Sequence, residues 1–367
     1  MIVKAITLDF FRNYLHLEAA FHPRINVIFG DNAQGKTNLL EAVAYLSSAS
    51  SHRARYDREL IQFGVDHAFV KGEVASRGRD FTLEASLHRG ARRQLLSNGV
   101  RLKNAGELAG ILNTVLFCPE DLYLIRAGAE ARRKFLDQCI CQLRPRYAVA
   151  LAEYKRLREH KTRILRDSAE HPDLLDTLDD FSLRMAQCGA ILVHYRAHFI
   201  KKLRQAAPPI HADCSGGRER LELEYRTVST VTDPEAPPKT LLPQLLDHQE
   251  SHRRAEIESR SCLSGPHKDD LSVSIDGCPA GAYASQGQTR TAALALKLAA
   301  RDIFYQETQE WPVLLLDDVL SELDSRRQEF VLNRITSGQV FITCCEEEKL
   351  VHLREGNAFY IHDGRLA

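Results

Sequence analysis

The chain has 367 residues, with 49 lysines and arginines balanced by 49 aspartates and glutamates, so its formal net charge is zero. Apolar residues make up 44% and charged residues 27%, which is typical of soluble globular proteins. This length predicts a large domain plus an accessory one, and no apolar run approaches the length of a membrane span. We therefore expect a cytoplasmic protein without a membrane partner. Zero net charge argues against strong non-specific binding to nucleic acid along the whole surface, but it is compatible with a local basic surface that binds it.

The N-terminal part predicts strands followed by a glycine-rich turn. Apolar or alternating segments cover residues 2–11, 14–21 and 24–29, and a helical pattern covers residues 36–48 after the turn. Further strand patterns follow at residues 68–74, 81–87, 94–97 and 114–118. This order of elements is typical of an α/β protein.

The middle of the chain predicts helices, and strands return after it. Helical spacing covers residues 132–143, 147–167, 174–206 and 241–259, with interruptions at Gly216-Gly217 and at residues 234–238. After these come a strand near residues 271–275, a long helix from Ser285, a buried strand at 313–317, a helix at 325–335 and a strand at 339–343. If the two strand-rich ends fold together, residues 1–120 and 262–367 form one domain, and residues 121–261 are a helical insertion into it.

Nine cysteines and 15 histidines show no spacing that is typical of a metal site. The pairs Cys139/Cys141 and Cys344/Cys345 lack the C-x-x-C arrangement, and no H-E-x-x-H motif occurs. We therefore expect reduced, mostly buried thiols and no metal chemistry through Cys or His.

A phosphate-binding loop is predicted between the third strand and the first helix. The segment fits G-x-x-x-x-G-K-[ST]. Its residues, together with the one that follows, are Gly30, Asp31, Asn32, Ala33, Gln34, Gly35, Lys36, Thr37 and Asn38. Backbone N–H groups of such a loop and the helix N-terminus bind phosphate oxygens. Lys36 would reach the β- and γ-phosphates of ATP, and the Thr37 hydroxyl would be a ligand of Mg²⁺.

Two carboxylates follow the buried strand near the C-terminus. Asp317 and Asp318 come directly after four apolar residues, and a parallel strand would place both at the sheet edge beside the loop. Asp317 would hold Mg²⁺, and Asp318 would act as the general base for the attacking water. Thr343 ends the next strand, where transporter ATPases usually present a histidine to the γ-phosphate. Here a hydroxyl or a water molecule would replace that histidine.

A serine-led helix between these two motifs indicates the ATPase class. Ser285, Gln286, Gly287 and Gln288 begin the long helix, at the place of the ABC signature motif. The free N–H groups and the serine hydroxyl form an anion site, which in ABC proteins contacts the ATP of another subunit. Ser285, Gly287 and Gln288 would therefore bind nucleotide across a homodimer, with Ser285 catalytic alongside Lys36 and Asp318. An ordinary serine N-cap is the alternative.

Segments of the chain resemble the RecF family of bacterial ABC-type ATPases in RecF order. They are residues 29–42, 51–53 (Ser-His-Arg), 119–122 (Pro-Glu-Asp-Leu), 132–137, 264–270, 285–288 and 315–324. The resemblance covers nearly the whole chain and is least diagnostic in the helical middle. Cys344-Cys345 and the acidic residues 346–348 depart from the family pattern.

The resemblance implies an ABC-type P-loop ATPase head with mixed sheets and an inserted helical arm. It further implies an ATP-dependent homodimer that binds double-stranded DNA or its junction with a single-stranded gap. Because Asp318 is one methylene shorter than the glutamate of many ABC sites, we expect slow hydrolysis of ATP. Partners implied by the family are RecR and RecO, which help to load RecA.

Candidate DNA contacts lie in two basic segments. Residues 144–166 contain eight basic residues against two acidic ones, and a helix there would present Lys155 and Arg158 on one side. The alternative is a solvated helix face. Arg53 follows the loop helix and could touch nucleotide or DNA.

Three other classes of P-loop protein fit the sequence less well. A transporter ATP subunit, the main alternative, would carry a Leu-Ser-Gly-Gly-Gln-like signature and a switch histidine. A chromosome-organising SMC protein would need a far longer insertion with sustained heptads. A phosphotransferase would have no use for the signature helix.

Overall fold

The computed structural model of the chain describes residues 1–345 and 356–366, so the acidic residues 346–348 lie outside the described residues. Its α-helices are α1 (Lys36–Ser48), α2 (Ala129–Leu143), α3 (Pro145–Asp167), α4 (Leu178–Ser215), α5 (Pro238–Ser259), α6 (Ala280–Tyr283), α7 (Gln286–Thr308) and α8 (Ser325–Arg334). Its strands are β1 (Ile2–Phe11), β2 (Tyr14–Ala20), β3 (Ile25–Phe29), β4 (His67–Ser76), β5 (Arg79–His88), β6 (Gln94–Ser97), β7 (Val100–Arg101), β8 (Thr114–Phe117), β9 (Leu221–Arg226), β10 (Asp270–Ile275), β11 (Cys278–Pro279), β12 (Val313–Leu316), β13 (Val340–Cys344), β14 (Gly356–His362) and β15 (Arg365–Leu366).

Two six-stranded sheets form the strand-rich part. One has the order β2-β1-β4-β5-β6-β7, and its neighbouring strands are antiparallel. The other has the order β15-β14-β3-β13-β12-β8, and its strands from β14 to β8 are parallel. Parallel strands leave the sheet at the same edge, so the segments after β3, β12 and β13 meet there.

The parallel sheet has an apolar core on each face. All four residues of β12 are buried, and alternate ones belong to different cores because successive side chains point to opposite faces. Val313 and Leu315 pack in the core that contains α1 and the antiparallel sheet. Leu314 and Leu316 pack in the core that contains α7 and the helical region, which comprises residues 121–261. The sheet is therefore fixed from both sides, as a rigid support for the loops at its edge requires.

The helical region departs from the sequence prediction in two places. Strand β9 lies inside residues 121–261 and pairs with β10 outside them, in a small sheet β11-β10-β9. Helix α4 also continues through Pro208 and Pro209 to Ser215 instead of ending near residue 206. Burial of Ala207 and Ile210 in the core offsets the backbone hydrogen bonds that the prolines cannot make. None of the helices in the described part of the chain is long and apolar enough to span a bilayer.

Candidate nucleotide-binding site

The loop between β3 and α1 has the backbone of a phosphate cradle. Gly30 and Gly35 adopt φ angles of 145° and 123°, which disfavour residues with a side chain. A Cβ on Gly30 would lie 2.3 Å from the carbonyl oxygen of Ile361, so a side chain has no room there. Ala33, with φ of 65°, also lies in the left-handed region. The glycines therefore allow the tight turn that directs the loop toward the start of α1.

Lys36 is held inside this loop by backbone oxygens. Its Nζ donates to the carbonyl oxygens of Gly30 at 2.6 Å and Asp31 at 3.0 Å, and the residue is 4% exposed. The thiol of Cys345 lies 3.8 Å from the same nitrogen and 3.2 Å from the Asn32 side-chain oxygen. No carboxylate among the described residues pairs with this ammonium group, so its charge is available to an anion such as phosphate.

Thr37 and Asp317 meet at the edge of the parallel sheet. The Thr37 hydroxyl donates to Asp317 Oδ1 at 2.8 Å, and the Thr343 hydroxyl donates to the same oxygen at 3.0 Å. Asp317 is 4% exposed, and burial raises its pKa, while the two hydroxyl hydrogen bonds oppose that rise. A hydroxyl beside a carboxylate next to a phosphate cradle is a donor set that fits Mg²⁺.

Asp318 has a strained backbone, and its carboxylate has no hydrogen-bond or ion-pair partner among the residues that the structure describes. Its φ of 49° lies in the left-handed region, which Asp tolerates better than most residues. Its N–H donates to the Thr343 hydroxyl at 2.7 Å, and its carbonyl accepts from the Ser321 hydroxyl at 2.6 Å. These bonds fix the backbone and leave the Asp318 side chain available for a water molecule.

The sequence left two alternatives at this position, the Thr343 hydroxyl or a water molecule, and the hydrogen bonds of Thr343 favour the water molecule. The Thr343 hydroxyl is 1% exposed and is already shared between Asp317 and the Asp318 N–H. It orients the Asp317 carboxylate and holds the backbone of Asp318.

A cleft beside the phosphate loop contains residues that the motifs did not reveal. Its volume is about 620 Å³. Its lining includes Arg12, Asn13, Asn38, Arg53, Arg58 and Phe63. Asn38 donates to the Asn13 side chain at 2.8 Å and accepts from Arg53 at 3.2 Å, and Phe63 is 99% exposed. No local signal identifies Arg12 or Phe63: Arg12 lies in the turn between β1 and β2 and pairs with Glu41 of α1 at 2.8 Å, and Phe63 lies in an irregular segment.

The serine-led helix begins with an exposed, capped N-terminus. Ser285 caps α7 in a reciprocal capping box, in which its hydroxyl accepts from Gln288 N at 3.2 Å and its own N–H donates to Gln288 Oε1 at 2.8 Å. Arg327 holds the Gly287 carbonyl at 3.0 Å. Ser285 is exposed, and no hydrogen bond between described residues connects residues 285–288 to the phosphate loop of the same chain. The helix tip is therefore rigid and open to another molecule.

The basic segment at residues 144–166 is less positive than its sequence indicates. Lys161 is buried and pairs with Glu256 at 2.7 Å, and Arg156 pairs with Glu153 at 2.8 Å. Lys155 is exposed and Arg158 is half-buried on α3, and within the described residues neither forms an ion pair. These two remain the candidates for phosphate contact on α3.

A buried arginine connects three distant segments. Arg196 is 2% exposed and pairs with Asp137 at 2.9 Å and Asp269 at 3.0 Å. Its guanidinium also donates to the Pro266 carbonyl at 2.7 Å. Arg196 therefore joins residues 132–137 to residues 264–270. Sequence reasoning missed it, because a single arginine in a long helix carries no signal.

Comparison with known proteins agrees with this geometry. Residues 2–363 match the family described as RecF/RecN/SMC N terminal domain. The DNA replication and repair protein RecF of Agathobacter rectalis is 39% identical over 355 residues, which are 96% of this chain and 95% of that protein. RecF of Listeria innocua serovar 6a is 39% identical over 373 residues, which cover 100% of this chain and 99% of that protein.

Solved structures confirm the predicted fold class. The recombination mediator protein RecF with ATPrS has a TM-score of 0.90 and 34% identity, covering 99% of this chain and 97% of that one. The Smc head domain from Pyrococcus furiosus has a TM-score of 0.55 at 16% identity, covering 100% of this chain and 95% of that one, which shows the shared fold alone. The molecule is thus an ABC-type ATPase head of the α/β class with mixed sheets and an inserted helical region, and the chain belongs to the RecF family of DNA replication and repair proteins.

Proposed function

We propose that this chain is an ATP-dependent clamp for DNA, in which two copies close on nucleotide at their interface. One observation carries the proposal: Lys36, Thr37 and Asp317 converge at one sheet edge, while the exposed Ser285 helix tip forms no hydrogen bond with them within the described residues. A nucleotide site that is complete only with the helix tip of a second copy makes closure depend on the nucleotide.

The phosphate loop would bind the triphosphate. Residues 30–38 supply backbone N–H groups to phosphate oxygens, and Lys36 leaves its two carbonyl partners to contact the β- and γ-phosphates. Thr37 and Asp317 would hold Mg²⁺, which neutralises phosphate charge when it is bound. The cleft that contains Arg12 and Phe63 would take the adenosine, and the position of Arg53 there favours a nucleotide contact over a DNA contact.

The partner copy would complete the site. Ser285, Gly287 and Gln288 of one copy contact the γ-phosphate held by the loop of the other. Asp318 accepts a proton from the attacking water as general base. Aspartate is one methylene shorter than the glutamate of many ABC sites, so its carboxylate reaches less far. We therefore propose slow hydrolysis that acts as a timer.

We propose DNA as the partner of the closed dimer, as a duplex or a junction between duplex and single strand. We propose that residues 121–261 form an arm inserted between residues 1–120 and 262–367. Lys155 and Arg158 on α3 of this arm have no ion-pair partner within the described residues, which supports contact with DNA phosphates. Relatives are named for DNA replication and repair, and a solved relative is placed in the RecFOR pathway. We therefore propose RecR and RecO as partners in loading RecA. Membership of the RecF family disfavours the alternative function, an ATPase subunit of a transporter.

Mixing two inactive variants tests the composite site. Lys36→Ala removes the loop lysine, and Ser285→Arg blocks the helix tip without touching the loop of its own chain. Each variant alone should lack ATPase activity, whereas an equal mixture allows heterodimers with one intact site of two and should recover turnover, up to roughly half of the wild-type value. Turnover that stays at the level of the separate variants, with both proteins folded by circular dichroism, contradicts the shared site.

A further inference from the structure

The guanidinium of Arg327 connects the start of α7 to the start of α8. Arg327 lies in the first turn of α8, and it donates from Nη2 to the Gly287 carbonyl at 3.0 Å and from Nε to the Thr291 hydroxyl at 2.9 Å. Its Nη1 pairs with Asp324, whose side chain caps α8 by accepting from the Arg327 N–H at 3.0 Å. Acceptors from both helix starts therefore converge on one planar side chain, which only arginine provides.

This contact reaches the signature segment itself, residues 285–288. Within the described residues, Arg327 is the side chain outside α7 that forms a hydrogen bond with this segment. The approach is close, because a Cβ on Gly287 would lie 3.2 Å from Arg327 Nη2. A glycine at this position therefore leaves room for the guanidinium beside the first turn of α7.

The first turn of α7 carries the groups that would receive a phosphate. The Ser285 hydroxyl already accepts from Gln288 N at 3.2 Å, so the N–H groups of Gln286 and Gly287 remain for an anion. The direction of these N–H groups follows the orientation of the turn. Because Arg327 holds that turn against α8, it fixes the direction in which the tip presents its donors.

The charge of Arg327 is already neutralised. Asp324 pairs with it, so the pair adds no net charge near a bound nucleotide. Its effect on a phosphate is therefore one of position and not of attraction. We propose that Arg327 is a positioning residue for the nucleotide site of the partner copy, because it orients the helix tip that completes that site. This inference rests on the shared site proposed above.

Single variants measure the contribution of the contact. Arg327→Met keeps the length of the side chain but removes its donors, and turnover should fall by roughly tenfold or more because the tip is less well oriented. ATP affinity of its own phosphate loop should not change. Arg327→Lys should lie between methionine and wild type, since one ammonium cannot replace the planar fork. The control Arg326→Met removes the same charge from the exposed neighbouring residue, and it should keep wild-type turnover.

Mixtures show in which copy Arg327 acts. A heterodimer of Arg327→Met with Lys36→Ala has one site that combines an intact loop with an intact tip, so turnover should rise toward roughly half of the wild-type value. A heterodimer of Arg327→Met with Ser285→Arg has no intact tip, and turnover should not rise. A general loss of stability would not distinguish the two partners in this way.

The mixture of Lys36→Ala with Ser285→Arg is the reference that separates the two proposals. If this reference recovers turnover, the inference about Arg327 is overturned by wild-type turnover of Arg327→Met alone. It is equally overturned if Arg327→Met recovers turnover with Ser285→Arg, or fails to recover it with Lys36→Ala. No recovery in the reference mixture would instead remove the shared site, and the role of Arg327 with it.

Discussion

The replacement Thr343→Val tests how the Asp317 carboxylate and the Asp318 backbone are held in place. Valine has nearly the shape of threonine but no hydroxyl, so it leaves no cavity and removes two hydrogen bonds. One bond is donated to Asp317 Oδ1 at 3.0 Å, and the other is accepted from the Asp318 N–H at 2.7 Å. The Thr37 hydroxyl still holds Asp317 at 2.8 Å, so the carboxylate keeps one of its two partners.

The two losses set the expected magnitude. A hydrogen bond to a charged group contributes about 1.5–3 kcal/mol, and an unpaired buried N–H costs about 1–3 kcal/mol. Thr343 is 1% exposed, so water does not replace its hydroxyl. The two effects overlap, and we expect the free energy of unfolding to fall by about 2–4 kcal/mol. ATP turnover should fall by roughly tenfold or more because Asp317 and Asp318 are less well oriented.

The assay combines urea unfolding with steady-state ATPase rates for Thr343→Val and for Thr343→Ser, which keeps the hydroxyl. We expect the serine variant to stay within about 1 kcal/mol of the wild type. If the threonine instead acted on the γ-phosphate, turnover would fall in the valine variant without loss of stability. That result, or a valine variant as stable as the wild type, would refute the role assigned to this hydroxyl.

Three further predictions concern a buried ion pair, a carboxylate and the arm. Arg196→Met should lower the free energy of unfolding by about 3–5 kcal/mol, because it leaves two acidic side chains without their partner, as measured by urea titration. Burial raises the pKa of Asp317, so proton competition should weaken Mg²⁺-dependent ATP binding at a higher pH than for an ordinary aspartate. Nucleotide titrations on lowering the pH from 7 measure this, and the dependence should be lost in Asp317→Asn. Without Mg²⁺, the pH dependence of the free energy of unfolding has the opposite direction. Ionised, buried Asp317 destabilises the fold, and this destabilisation is absent at low pH and appears as the pH rises through the raised pKa. Lys155→Glu/Arg158→Glu should weaken duplex binding and reduce its salt slope by roughly two, as measured by fluorescence anisotropy.

Matched controls separate these effects from general damage. Arg184→Met removes an exposed partner of Glu153 and should change stability by less than about 1 kcal/mol. Arg254→Glu reverses an exposed charge on α5 and should leave the salt slope unchanged. The first prediction is contradicted if the Arg196 variant is as stable as the wild type. The second is contradicted if ATP binding does not change down to pH 5, and the third if the arm variant binds duplex with unchanged affinity.

Local patterns were sufficient to predict the sheet edge that carries the site. The helix expected at residues 36–48 is α1, Lys36–Ser48, because glycines fix its start and its apolar spacing is regular. The strand before Asp317 was equally clear, since a run of four apolar residues suits a strand that is buried on both faces. The contact of Thr37 with Asp317 then follows from parallel pairing.

Contacts between residues far apart in the chain could not be predicted from the sequence. Strand β9 pairs with β10 more than forty residues later, and no local pattern distinguishes that partner from others. Arg12 is held at the cleft by its ion pair with Glu41 of α1, and Arg196 is paired through helix packing. The helical pattern was expected to end at residue 206, but α4 continues through Pro208 because tertiary burial overrides local propensity there.

The most direct test of the account is the mass of the protein in solution by analytical ultracentrifugation, without nucleotide, with ADP and with ATP, each with and without gapped duplex. The account predicts a monomer without nucleotide and with ADP, and a dimer with ATP that the Asp318→Asn variant retains for longer. Ser285→Arg should bind ATP and remain a monomer. A wild-type protein that stays monomeric at saturating ATP with duplex present would contradict the shared nucleotide site.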